Sequence, residues 1–300
     1  MRKAVITYKS ISPVILTSRI ESALYKGIDF SRVASNDKIQ IIYPFYSHDS
    51  RNLQEKSNFH KANSYYIPAS SLKGALLGKL QYSDIKKVEK KTSKKETEKL
   101  EQEEISFRSQ MRFRDVEIEP ENIQLHNLEK AQYLYREGTI DDGNKKITEK
   151  KYNAPIWEAF FPAIQVEMLK ANVEFQGEIA FRAEENEFIE TLNRNFKTTE
   201  RKIANYIAEI ENRLKKIEEW ALADKKIVGE LSDIKKKLQG FQGKENLIFL
   251  GGYKGILAGL TNLTILKKEQ REEVRNGFYV DKDSRLPYGL VEVNYTIEEV

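Results

Sequence analysis

Residues 65–76 read Tyr65-Tyr66-Ile67-Pro68-Ala69-Ser70-Ser71-Leu72-Lys73-Gly74-Ala75-Leu76. Aromatic and β-branched residues favour a strand, and Pro68, which has no amide to donate, ends it. Beyond it Leu72, Ala75, Leu76 and Leu80 recur at helical spacing, so a helix is expected to begin at Ser70-Ser71, where a hydroxyl can accept from the unpaired amides of the first turn. A helix start with two hydroxyls, free amides and Lys73 is also an arrangement that receives a phosphate. Gly74 and Gly78 are costly inside a helix and suggest that something approaches that backbone closely. On the residues alone the better account is an ordinary helix start whose small side chains let helix and sheet pack.

Outward from this segment, Lys3 to Lys9, Ile39 to Tyr43, Ala171 to Ala183 and Val291 to Ile297 read as strands. In the third, Val173, Phe175, Ile179 and Phe181 alternate with polar neighbours around a Gln176-Gly177 irregularity. In the last, Val291, Val293, Tyr295 and Ile297 share one face, as expected of half-buried antiparallel strands. Between these, Ile203, Ile207, Ile210, Leu214, Ile217 and Ala221 step by four and three; the phase is lost near Asp224 and resumes at Ile227, Leu231, Ile234 and Leu238. Two antiparallel helices with a reversal at Asp224 keep that seam dry. The expectation is an α+β fold of the ferredoxin-like (RRM-like) kind, βαββαβ with additions: a core of 1–196 and 240–300 and an inserted, self-contained helical hairpin at 197–239.

The 300 residues, 40% hydrophobic and 10% aromatic, are enough for a sizeable core, and the apolar runs are too short to span a membrane. The opening residues lose their apolar character after Ile6, so no export signal is expected, and with no cysteine in the sequence, disulfides, thiolate metal sites and cysteine nucleophiles are excluded; a cytoplasmic location is expected. Fifty Lys+Arg against 46 Asp+Glu leave a net charge of +4, too balanced to argue for a polyanion by itself. Residues 86–104 hold seven Lys and six Glu, a solvated stretch laced with short-range ion pairs.

A second motif, Leu247-Ile248-Phe249-Leu250-Gly251-Gly252-Tyr253-Lys254-Gly255-Ile256-Leu257, runs from an apolar strand through glycines and a lysine, with a helix expected beyond. It lacks the Gly-Lys-Ser/Thr of a nucleotide-hydrolysing loop and the dinucleotide glycine spacing. Gly251 and Gly252 remove the Cβ atoms that would hold a nucleotide strand away, and Lys254 supplies a cation. A tight strand-to-helix turn accounts for the same residues.

These two motifs, in this order, resemble the RAMP superfamily of CRISPR effector proteins, which carry an IPxSSxKGxxR-like segment followed by a glycine-rich loop. Further stretches resemble one branch, the end-capping subunit of type III-A (Csm) effector complexes. Ser10 to Leu16 is similar to its opening strand, Met111-Arg112-Phe113-Arg114-Asp115-Val116 to its vsDs segment, Asn246 to Leu260 to its lfLGxGtGfxSKt loop, and Leu286-Pro287-Tyr288-Gly289-Leu290-Val291-Glu292-Val293 to its PlGwvki terminus. The family's IGsG turn is replaced by Ile15-Leu16-Thr17-Ser18-Arg19, with Arg19 as the substitute cation. Leu77 stands where an arginine is common, and Ala69 where a glycine is.

The resemblance implies a RAMP core that binds guide RNA (crRNA) toward its 3′ end, caps the filament of repeating subunits, and has the other subunits of the complex as partners. Ser70, Ser71, Lys73, Gly251, Gly252 and Lys254 would meet the RNA. Arg19, Arg112 and Arg114 join them as RNA-binding candidates, with surface ion pairing an equal account of the last two. No catalytic residue, metal or cofactor is expected. The rival readings are a RAMP-type endoribonuclease that processes CRISPR RNA and a coiled-coil scaffold. The first needs a histidine over a 2′-hydroxyl; His48, beside Asp49 and Arg51, is its best candidate, ahead of His60 and His126.

Overall fold

The strand expected at Lys3 to Lys9 is β1 (Arg2–Ser10), in which Ala4, Ile6, Tyr8 and Ser10 are buried in alternation. This computed structural model describes residues 1–17, 22–33, 38–48, 58–78, 107–132, 135–141, 146–152, 156–159, 161–219, 225–252 and 277–299. Next come β2 (Leu24–Tyr25), β3 (Ile41–Tyr43), β4 (Tyr65–Ile67) and helix α1 (Ala69–Leu77). A run of strands follows: β5 (Met111–Phe113), β6 (Val116–Ile118), β7 (Ile123–His126), β8 (Glu129–Gln132), β9 (Tyr135–Asp141), β10 (Lys146–Tyr152), β11 (Ile156–Ala159), β12 (Ile164–Leu169) and β13 (Glu174–Phe181). The remaining elements are α2 (Glu185–Glu219), α3 (Lys225–Gln239), β14 (Leu247–Phe249), β15 (Gly277–Tyr279) and β16 (Leu290–Glu299).

The central sheet has the order β14-β16-β1-β13-β5, and every neighbouring pair in it is antiparallel. β1 leads through α1 to β5 with β13 lying between them, and β13 leads through α2 to β16 with β1 between them. The fold is α+β. Gly177 of β13 faces Ile6, and a Cβ there would come within 2.9 Å of Val116 and 3.4 Å of Tyr8, so the Gln176-Gly177 irregularity makes room for packing. Tyr8 stacks on Phe175 at 4.9 Å.

On the sheet lies the main core, where Leu72, Leu76 and Leu77 of α1 meet Phe188, Leu192 and Phe196 of α2. Phe188 stacks on Phe181 at 4.5 Å, and burying such a ring contributes about 1.5–3 kcal/mol. The second sheet, β2-β3-β12-β7, contains a parallel pair, β3 with β12, and joins the first through the bridge between Val14 and Leu169. No described helix is long and apolar enough to cross a membrane.

Three sequence expectations change here. The helical hairpin starts at Glu185, not at 197, because Phe188, Leu192 and Phe196 carry the apolar stripe back onto the sheet. Its seam is also not self-contained: Ile203, Tyr206, Ile210, Leu231, Ile234 and Leu238 pack with Leu247, Phe249 and Leu290. β14 has apolar side chains on both faces, Ile248 toward the main core and Leu247 and Phe249 toward the hairpin, so the hairpin covers a surface that would otherwise meet water. Third, the helix that crosses from β13 to β16 is α2, whereas the helix expected after Gly255 lies outside the described residues, as do the reversal near Asp224 and the charged stretch 86–104.

Candidate nucleic-acid interface

At the start of α1 the backbone itself decides the geometry. Pro68 is the N-cap (φ −60°, ψ 136°), and its carbonyl accepts from the amides of Ser71 (2.9 Å) and Leu72 (3.2 Å), so the helix begins at Ala69, one residue earlier than expected. No side-chain hydroxyl caps the helix; Ser70 and Ser71 lie within the first turn, Ser70 exposed and Ser71 half-buried. The amide of Ala69 donates to Asp115 Oδ1 at 2.6 Å, so a carboxylate of the chain already sits at the positive end of the helix. Lys73 turns inward: its Nζ donates to the carbonyls of Arg108 (2.7 Å) and Met111 (3.3 Å). The phosphate site expected from Ser70, Ser71 and Lys73 is therefore largely served from within the chain.

The far end of α1 is sealed the same way. Arg108 Nη2 donates to the carbonyls of Leu77 (3.1 Å) and Gly78 (2.9 Å), and Asn195 Nδ2 donates to that of Ala75. Gly78 has φ 70° and a Cβ there would lie 3.0 Å from Asn195 Oδ1, so this glycine ends the helix; Gly74 is exposed with nothing within 4 Å of a Cβ.

The glycine loop is built from three stretches that are distant in sequence. Gly252 donates its amide to the carbonyl of Ile15 (2.7 Å), Leu250 donates to Gly289 (2.7 Å), and Gly289 donates to Pro13 (2.8 Å). Buried Ser12 ties them further, its Oγ donating to Pro287 (2.6 Å) and accepting from the amide of Leu290 (2.9 Å). Gly251 has φ 89°, and a Cβ there would fall 2.3 Å from the Ile15 carbonyl oxygen. Its missing side chain is thus demanded from inside the protein rather than by a ligand. Gly252 is different: it is exposed, and a Cβ would stay 3.8 Å from the nearest atom. Lys254 and Arg19 lie outside the described residues.

Arg112 is exposed on β5, an outer strand of the central sheet, between buried Met111 and half-buried Phe113. Among the described residues it has no ionic partner. Arg114 is 82% exposed and 3.8 Å from Glu178 Oε2, while Lys3 holds the other oxygen of that carboxylate at 2.5 Å. The hydrogen bond from Lys3, with the charges of Lys3 and Arg114, keeps the Glu178 carboxyl below its ordinary range. Such exposed pairs contribute little to folding and leave Arg114 available to a stronger anion. Because Asp115 is fixed on Ala69, Arg114 lies beside the start of α1. Exposed Ser70 and Arg114 are the chain neighbours of that Ala69–Asp115 contact, Arg112 lies on β5 itself, and Gly251 and Gly252 follow the opposite outer strand, β14; α1 touches both outer strands.

The histidines differ in setting. His126 is half-buried with Nδ1 2.9 Å from the Asn127 carbonyl, and His60 is exposed. His48 is exposed and lies flat on Tyr66, centroids 4.1 Å apart and planes within 12°. Among the described residues none of the three contacts a carboxylate, and no three His, Asp or Glu gather into a metal-binding group.

Sequence reasoning missed a buried knot. Glu167, fully buried in the apolar run of β12, accepts from Tyr65 Oη (2.7 Å) and the Phe45 amide (3.0 Å), and Tyr65 Oη accepts from the Ala62 amide (2.8 Å). Nearby Lys61 donates to the carbonyls of Pro120 and Ile123; burial and the charge of Lys170 lower its pKa against the opposing pull of Glu167. A glutamate flanked by Val166 and Met168 was the available signal.

No family model matches the chain, and no curated protein matches it. Among solved structures it is similar to a chain of the cryo-EM structure of the Csm–crRNA–target RNA ternary complex of a type III-A CRISPR–Cas system. That match covers 97% of this chain and 100% of the other at 14% identity, with a TM-score of 0.48.

Proposed function

We propose that this chain is a non-catalytic RNA-binding subunit of a type III-A CRISPR effector complex, which binds guide RNA toward its 3′ end and caps the backbone filament. One observation carries this reading. The three stretches that resemble the family at the opening strand, the glycine loop and the terminus meet at Pro13 to Ile15, Leu250 to Gly252 and Pro287 to Leu290, bound by direct hydrogen bonds. Motifs scattered by chance have no reason to converge.

The core is ferredoxin-like (RRM-like) on this reading. Its support is the order β16-β1-β13-β5 with two helices, each crossing between parallel strands split by a third, which is the βαββαβ pattern with β14 added at one edge. Exposed Arg112 and Arg114, together with exposed Ser70 and half-buried Ser71, supply a surface for phosphates, and exposed Gly252 lets a backbone approach. The partners are guide RNA and the other subunits of the complex, in the cytoplasm. The endoribonuclease reading has less behind it, since His48 lies on Tyr66 with no carboxylate among the described residues to orient it. The test is to reconstitute the complex with guide RNA carrying photo-crosslinkable nucleotides at each end. Crosslinks from this chain to the 3′ part are expected; crosslinks confined to the 5′ part, or failure to join the complex, would overturn the proposal.

A further inference from the structure

Strand alternation turns Tyr66 outward, because Tyr65 and Ile67 on either side of it are wholly buried. Two other rings attend it. The imidazole of His48 lies flat on it at 4.1 Å, and Tyr46 flanks it at 5.7 Å, tilted by 54°. Tyr46 and Tyr66 are half-buried and His48 is exposed, with one imidazole face against Tyr66.

The rings do not hang from a loose loop. The Tyr66 amide donates to the Tyr46 carbonyl at 3.0 Å, Ser47 bridges to Tyr65, and Tyr65 is anchored on buried Glu167. A pair of parallel rings whose outer member, His48, is exposed is a platform that a third planar ring extends, since offset stacking is a preferred arrangement of aromatic groups.

The surroundings restrict which ring. Exposed Glu117 faces Tyr66 across the β4–β6 pair and repels an anion placed over that strand. Along the chain the next pair, Ile67 with Val116, leads to the helix start, where Arg114 and Ser70 are exposed. A ligand that suits both places an uncharged planar ring on the aromatic stack and a phosphate toward Arg114.

We propose that His48 and Tyr66 form a base-stacking site on which one nucleobase of single-stranded RNA lies flat against the face of His48 turned away from Tyr66. The site rests on the RNA-binding reading above and extends it from phosphates to a base. Stacking of this kind is sequence-tolerant, because every base has a π-face.

The probe is a single-stranded RNA oligonucleotide containing 2-aminopurine, whose fluorescence falls when it stacks, titrated with the full-length purified chain. Wild type and His48→Phe, which keeps a planar ring, should quench the probe. His48→Ala should lose the quench and bind roughly five- to tenfold more weakly with an unchanged salt slope, since no phosphate contact is removed. Tyr66→Leu should behave like His48→Ala, and equal melting temperatures will separate either loss from misfolding. Wild-type affinity and quench in His48→Ala would overturn the site while leaving RNA binding intact. Absence of salt-dependent RNA binding by the wild-type chain would overturn the underlying reading, and the site with it.

Discussion

Asp115 Oδ1 accepts the amide of Ala69 at 2.6 Å across 46 residues of sequence, and that contact closes the helix end that otherwise best suits a phosphate. The substitution Asp115→Asn removes the resident negative charge from the helix start. Chemical denaturation should report a loss of about 1 kcal/mol, the usual worth of a cap. RNA affinity at low salt should rise, because the amides and Arg114 then face an incoming phosphate alone. Weaker RNA binding in this variant, at equal stability, would mean that Asp115 itself supports the RNA.

The two loop glycines should part company. Gly251→Ala must strain φ 89° and drive a methyl into the Ile15 carbonyl, so a loss of at least about 1–2 kcal/mol is expected. Gly252→Ala has open space and should stay within about 0.5 kcal/mol of wild type. Thermal melts of the pair check this. Should Gly252→Ala weaken RNA binding without changing the melting temperature, this glycine is an RNA contact.

Lys73 and Arg112 make a second contrasting pair. Lys73→Ala removes two charge-assisted hydrogen bonds to backbone carbonyls, and the melting transition should fall by the equivalent of about 1.5–3 kcal/mol. Arg112→Ala removes an exposed cation and should leave stability unchanged. In RNA titrations over a salt series it should lower the logarithmic slope by about 0.7 if the guanidinium neutralises one phosphate of a single strand. An unchanged slope would assign Arg112 to solvent.

High pH probes the core. Burial holds the phenols of Tyr8, Tyr206 and Tyr288 far above their ordinary range, Tyr288 despite the opposing hydrogen bond from the Glu129 amide. A group whose folded pKa is raised contributes stability that is whole below the unfolded value, about 10 for tyrosine, and that drains away as pH climbs past it. Ultraviolet phenolate absorbance should therefore show these tyrosines ionising together with cooperative unfolding. Smooth titration of every tyrosine near pH ~10 in a still-folded chain would contradict their burial.

Replacing 204–239 with a flexible linker tests whether the hairpin is dispensable. Leu247, Phe249 and Leu290 would lose their cover, so loss of a cooperative transition, or aggregation, is expected by circular dichroism and light scattering. A sharply melting remnant would show that the hairpin is a true insertion.

Local alternation made much of this fold legible. β1, β13 and β16 carry period-two apolar patterns, and the segment from Tyr65 to Leu77 announces its own strand, proline and helix. The β9 and β10 pair was not legible, because YREGTID and KITEKKY lack an apolar face and their pairing is supplied by each other. At the candidate interface, residue types pointed to Ser70, Lys73 and Gly251 as unusual positions, but not to the partners that surround them. Asp115, Arg108 and Ile15 reach this region through tertiary folding, and nothing within a short window encodes such a contact. Tyr66 and His48 escaped for the same reason: their stacking depends on Ser47 and Tyr65 being held side by side.

The pairing of β1 with β16 runs from Arg2 with Glu299 to Ser10 with Val291, at the middle of the central sheet. Ribosomal synthesis therefore delivers the two halves of that ladder far apart in time, with β2 to β15 made between them. At roughly 5–20 residues per second the nascent β1 waits on the order of 15–60 seconds for its final partner. Throughout that interval Ala4, Ile6 and Tyr8 stand on a strand with one edge unfilled, a ready template for another chain. Shielding that unfilled edge until β16 arrives should therefore raise the yield of folded chain.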